Sequence, residues 1–188
     1  MKIIFSLLLL IACQPIFAQG SSKASVFHRL LIYNADNDFM LVKIKDTDTW
    51  VTPGFYQDST QFVKKGLHDI AATYGLTVTD PEVKGMFSMR RERDGKQEML
   101  VRNIYHANYV SGEEHFPENQ SFEIGEIKWL PMEEARKVIS FESMTMFIQR
   151  TDDYPNEVSG GSIHASRQDG AWKYETIEEF YPIFKAKN

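Results

Sequence analysis

Asp69 stands in the run Lys64-Lys65-Gly66-Leu67-His68-Asp69, where one carboxylate shares a helical stretch with two ammonium groups and an imidazole. A carboxylate is a ligand for a hard divalent cation, but neighbouring cations oppose that binding on Coulomb grounds. Glu113-Glu114-His115 offers two carboxylates and an imidazole from a loop after a long strand, a ligand set in principle and a solvated acidic loop in the plainer reading. Arg90-Arg91-Glu92-Arg93 has the donors to grip phosphate in forked hydrogen bonds. Glu92, Asp94 and Glu98 interleave with it, so a solvated charged hairpin accounts for the same residues. His28, His106, His115 and His164 show no metal-ligand spacing and read as ordinary strand or loop residues. No Gly-x-Ser-x-Gly occurs, and Gly160-Gly161-Ser162 lacks the Lys and the helix of a phosphate-cradling loop.

These groups must be positioned by regular elements. Val26 to Tyr33 and Phe39 to Ile44 read as a strand hairpin around the turn cluster Asn34-Ala35-Asp36-Asn37-Asp38. Trp50 to Phe55 is a short extended stretch ended by Pro53-Gly54. Phe62, Val63, Leu67, Ile70, Ala71 and Tyr74 recur with a helical period, predicting an amphipathic helix over Ser59 to Tyr74 with a capping box from Asp58 to Gln61 and a stop at Gly75. Val83 to Glu92 and Glu98 to Val110 are strands around Asp94-Gly95, a strong hairpin signal. In the second of them Met99, Val101, Tyr105, Ala107 and Tyr109 alternate with Arg102, His106 and Asn108, predicting one core face and one face that is polar or turned to a partner. Ser111 to Asn119 reads as polar loop, Phe122 to Leu130 as strand, and Pro131 to Ile139 and Ser143 to Gln149 as helices. The tail predicts a hairpin around Asp169-Gly170 and then a helix with Ile177, Phe180, Tyr181 and Phe184 on one face. Trp50, Trp129 and Trp172 lie in or beside these strands and read as core. Strands and helices in this order predict an α+β chain with helices packed on a mixed sheet.

The 188 residues favour one domain, and 43% hydrophobic with 25% charged is the composition of a folded chain. A net charge of −5 with no dense basic run argues against nucleic acid as a partner. Met1-Lys2 followed by apolar Ile3 to Ala12 is too short for a permanent transmembrane segment and has the form of a bacterial secretion signal, cleaved after Ala18. Leu10-Ile11-Ala12-Cys13 also resembles a lipobox, so a lipid anchor at Cys13 stands as the alternative. Cys13 is the single cysteine, and its loss or lipidation excludes thiol catalysis. The expected organisation is a signal peptide at 1–18, a linker at 19–25, a domain at 26–150 and an extension at 151–188 packed on the same domain. The expected location is periplasmic or secreted, with lipoprotein as the alternative.

The stretch from Phe27 to Gln149 resembles the Nudix hydrolases. Their box is a Gly, five free residues, a Glu, seven more, then Arg-Glu-hydrophobic-x-Glu-Glu-x-Gly-hydrophobic. Laid from Gly54, it closes on this chain without a gap. Thr60 falls where the first Glu belongs, His68-Asp69 where Arg-Glu belongs, Ala72-Thr73 at the Glu-Glu pair, and Gly75-Leu76 at the end. Trp50 to Gly54 and Glu126 to Ala135 resemble the flanking segments. The resemblance implies an α/β/α sandwich with a mixed sheet, plus the C-terminal hairpin and helix outside it. In that family the helix carboxylates hold Mg²⁺ or Mn²⁺ against a diphosphate, neutralising it for attack by water. Only Asp69 of those carboxylates remains, so no cofactor is expected, and the reading favoured is a non-catalytic module for a small ligand or protein partner. The alternative is a metal-dependent hydrolase of nucleoside-diphosphate-linked compounds, recruiting Mg²⁺ or Mn²⁺ through Asp69, Glu113 and Glu114.

Overall fold

The computed structural model describes residues 24–117 and 123–185, so the leader, most of the linker and Phe122 lie outside the described residues. Two strands open the chain, β1 (Ser25–Tyr33) and β2 (Phe39–Ile44). Asn34 Oδ1 holds the turn between them by accepting from the backbone N–H groups of Asp36 and Asp38, at 3.0 and 2.9 Å. Short β3 (Trp50–Val51) and β4 (Gly54–Tyr56) lead into α1 (Val63–Thr73) and β5 (Leu76–Val78). The long hairpin β6 (Glu82–Arg93) and β7 (Lys96–Gly112) turns at Asp94 and Gly95, whose φ values of 52° and 72° are those that a two-residue hairpin of this kind demands. Then come β8 (Ile124–Leu130), α2 (Met132–Val138), α3 (Glu142–Asp153), β9 (Glu157–Gln168) and β10 (Ala171–Lys185).

The sheet runs β10-β9-β6-β7-β1-β2-β3, with β1 parallel to β7 and β6 parallel to β9, while β8 pairs with β2. Its faces separate two cores because consecutive side chains on a strand point oppositely. Leu31, Tyr33, Phe39 and Leu41 face Ala135 of α2 and Met144, Phe147 and Ile148 of α3. Leu30, Ile32, Met40 and Val42 face Leu67 and Ala71 of α1 and Tyr74 just after it. The result is the helix–sheet–helix sandwich expected. One strand is shared in an informative way. β1 gives its end to β2 at Tyr33–Phe39, but its start to β4, through Phe27–Tyr56 and Arg29–Gly54. The sheet is therefore notched between β4 and β2.

Several expectations need correction. The helix begins at Val63, not Ser59; Asp58 Oδ1 accepts from the backbone N–H of Thr60 at 2.7 Å and closes a turn ahead of the helix instead of capping it. The face of β7 that carries Arg102 and His106 is not a solvated polar face, since Leu100 and Ile104 on the same side are core and α3 covers it. The first two residues of the expected loop at 111–119, Ser111 and Gly112, belong to β7, and α3 extends to Asp153. The tail after Asp169-Gly170 is a strand rather than a helix. β9, itself zipped onto β6, presents a free edge to which β10 pairs, and Pro182 is tolerated there because β10 is at the sheet's margin. Thus β9 and β10 continue the sheet of the preceding residues, and α3 runs across position 150.

Candidate functional site

Gly54 opens the box at the point where β4 presses on β1. A Cβ there would stand 2.5 Å from the His28 carbonyl oxygen and 2.6 Å from the Phe27 ring, so only glycine permits the contact. Gly75 ends α1 with φ +77°, and a Cβ on it would meet the Glu113 carbonyl oxygen at 2.1 Å. Both glycines of the frame thus serve close packing. The positions between them do not assemble a cation site. Asp69 accepts from Lys65 Nζ at 2.5 Å, one turn earlier on the helix. Lys64 Nζ donates to Asp80 at 2.6 Å, and His68 Nε2 lies 3.4 Å from the other oxygen of Asp80. Thr60 is in the turn before the helix, Ala72 is an exposed methyl, and Thr73 Oγ1 donates to the Ile70 carbonyl oxygen at 2.7 Å. This donor set does not fit a divalent ion: the one carboxylate is already matched by an ammonium, and the rest offer two hydroxyls, a methyl and an imidazole.

Glu113, Glu114 and His115 pack over the end of α1. Glu114 accepts from the indole N–H of Trp129 at 2.6 Å, and the His115 backbone N–H donates to the Tyr74 carbonyl oxygen at 3.1 Å. Among the described residues no three of His, Cys, Asp and Glu come together as ligands, so the loop and Asp69 are not joined in one cluster. His28 is buried against Phe55, with Nε2 2.9 Å from the Gln57 amide oxygen. His106 lies against Thr151, and burial, then the nearby Lys84 charge, push its pKa down to about 3.

The notch in the sheet opens into a cleft of about 580 Å³. Gly54, Phe55, Ile70 and Tyr74 enter it from the box side, Phe27 and Arg29 from β1, and Phe147, Trp172 and Tyr174 from across the sheet. Such a volume with an apolar, aromatic lining is what small-molecule sites have. Three arginines reach it: Arg29, Arg91 and Arg102. None of the described residues lining it is Asp or Glu. Arg91 is matched from outside the lining, its Nε donating to Glu98 Oε2 at 2.8 Å across the β6–β7 hairpin. The charged hairpin of the sequence reading and an inward-facing arginine are thus both present, in different residues of one run.

Arg29 and Arg102 are the residues the sequence reading did not single out. Phe27 and Arg29 are two apart on β1, and Phe27 pairs with Arg102 on β7, which places all three on one face. The guanidinium carbons lie 5.0 Å and 5.9 Å from the Phe27 ring centre. Both side chains are mostly buried. Burial, then the like charge of Arg102, push the Arg29 pKa down to about 9. Burial also lowers Arg102. The signal available in the sequence was a cation directly before the apolar run Leu30-Leu31-Ile32, on the same side of the strand as Leu31 and Tyr33.

No family model matches the sequence, and no curated protein matches it. Solved structures do match. The fold is similar to a MutT mutator protein from Bacillus halodurans, at TM-score 0.63 and 17% identity over 80% of this chain and 97% of that one. It is similar to a MutT protein from Methanosarcina mazei, at TM-score 0.54 and 18% identity over 73% and 99%. It is also similar to a Nudix hydrolase from Nitrosomonas europaea, at TM-score 0.54 and 14% identity over 71% and 89%. At these identities the likeness is one of architecture. The chain has the fold of the Nudix hydrolases.

Proposed function

We propose that this chain is an exported, non-catalytic binding protein that uses the cleft of a Nudix fold to hold a small ligand. One observation carries the reading: the box helix has spent its charges on internal ion pairs, while the cleft beside it remains open and aromatic-lined. Diphosphate hydrolysis needs a cation to neutralise the leaving oxygens. Asp69, His68, Thr60, Ala72 and Thr73 supply no such site, so the fold is retained without that chemistry. Export rests on the leader at 1–18 with cleavage before Gln19, or lipidation of Cys13 as the alternative.

The test of function incubates the purified protein with a panel of nucleoside diphosphate derivatives and Mg²⁺ or Mn²⁺, beside Asp69→Ala. The expected result is no turnover, no thermal stabilisation by the metals, and stabilisation by a cleft ligand. Metal-dependent turnover abolished by Asp69→Ala contradicts the reading and establishes the hydrolase. Mass spectrometry of the native N-terminus tests location: a start at Gln19 or a diacylated Cys13 supports export, and an intact Met1 removes it.

A further inference from the structure

We propose that the cleft takes a compact anionic group — carboxylate, sulfonate or phosphate — on a planar apolar body, held by Arg29 and Arg102 without a divalent cation. The proposal rests on the cleft-binding reading above and names the chemistry of its ligand. Arg29 Nη1 donates to Thr52 Oγ1 at 2.5 Å. Arg102 Nη1 donates to the carbonyl oxygens of Ser25 and Val101, at 3.3 and 3.0 Å. All three acceptors are uncharged, whereas Arg91 on the same wall has its carboxylate in Glu98. Among the described residues no Asp or Glu lies within ion-pair distance of Arg29 or Arg102.

Two neighbouring like charges withdrawn from water without a counter-ion are unfavourable for the free protein. Stacking on the Phe27 and Tyr56 rings offsets part of that cost but brings no negative charge. An anion entering the cleft supplies it, and the forked donors of a guanidinium match a pair of oxygens on a carboxylate, sulfonate or phosphate. The rest of the wall sets the body of the ligand. Phe27, Phe55, Tyr56, Trp172 and Tyr174 offer ring faces and edges, the surfaces on which a planar group is best placed. With two fixed cations already in place and no acid in the lining, a divalent cation would be repelled rather than recruited.

Fluorescence titration separates the claims, using two probes with the same aromatic skeleton in EDTA. One is 8-anilinonaphthalene-1-sulfonate; the other is N-phenyl-1-naphthylamine, which lacks the sulfonate. The sulfonate is expected to bind one to one and about tenfold or more tighter than the neutral probe, the scale of one charge-assisted hydrogen bond. Arg29→Met and Arg102→Met each remove that advantage, and Lys65→Met leaves it. Inorganic phosphate raises the melting temperature of the parent protein and not of Arg102→Met, a readout that also shows whether the variant folds. Equal affinity for the two probes leaves a binding cleft standing and overturns the anion claim. Sulfonate binding that requires Mg²⁺ overturns it too. Failure of both probes to bind overturns the cleft reading itself, and with it this proposal.

Discussion

The outer face of α1 and the β1–β7 face of the cleft both carry cations, and they differ in what answers them. On the helix, Lys65 meets Asp69, and Lys64 and His68 share Asp80, all at the protein surface. On the sheet, Arg29 and Arg102 are mostly buried and meet hydroxyl and carbonyl oxygens only. The first arrangement is complete within the chain and needs nothing further. The second leaves both guanidinium charges unmatched among the described residues, and the proposed anion is what would complete it. The comparison teaches that the helix of the box frame has its charges matched within the chain, while among the described residues the neighbouring sheet face leaves two cations without an acidic partner.

Substitutions break or sharpen this contrast to different degrees. The largest effect is expected at the cleft floor. Phe147 stacks on Phe87 with ring centres 4.5 Å apart and both rings buried. Phe147→Ala should cost about 3–5 kcal/mol in denaturant unfolding, because a cavity replaces the ring in a core already filled. A cost under about 1 kcal/mol would mean that the cleft does not rest on this core.

Acid comes next. The His106 pKa, pushed down from 6.5 to about 3, means that below pH 6.5 the unfolded chain takes up a proton that the folded one refuses. Stability from this group is therefore whole above pH 6.5 and is lost progressively as pH falls toward 3. The expected loss by pH 5 is about 2 kcal/mol. His106→Gln should flatten that part of the stability–pH curve, and an unchanged slope would remove His106 as its cause.

Arg29→Met is expected to raise the stability of the ligand-free protein by about 1–2 kcal/mol, since it replaces an unmatched buried charge by an apolar stem. Thermal melting at low salt checks the sign, and destabilisation would mean that Thr52 and Phe27 suffice as partners. Smallest of all, Lys65→Met and Asp69→Asn should each change stability by no more than about 0.5 kcal/mol, because a surface pair four residues apart on a helix contributes little. A larger loss on Asp69→Asn would give that carboxylate a role the surface pairing does not contain.

Much of the fold was legible because turn chemistry and strand patterns agreed. Asp94-Gly95 and Asp169-Gly170 all take positive φ, and the strands on either side pair as the residue types predict. The C-terminal strand was illegible for a definite reason. Three register shifts interrupt β10 between Thr176 and Phe184, so its period-2 alternation is broken where Ile177, Phe180, Tyr181 and Phe184 imitate helical spacing. The start of α1 was misplaced because Asp58 and Gln61 have the spacing of a cap, while Asp58 in fact turns back on Thr60. Of the candidate site, the frame from Gly54 to Leu76 and its departures from the Nudix pattern were plain in the sequence, but the cleft was not. Arg29 borders an apolar run and Arg102 lies on the polar side of an alternating strand, and only the parallel pairing of β1 with β7 brings them together.

One measurement tests the central contrast most directly: amide and arginine side-chain chemical shifts of the isotopically labelled protein, followed during titration with 8-anilinonaphthalene-1-sulfonate in EDTA. The account predicts saturable shifts at Phe27, Arg29, Thr52 and Arg102, with Lys65, His68 and Asp69 unmoved. Shifts centred on Lys65, His68 and Asp69, with Arg29 and Arg102 silent, would contradict it.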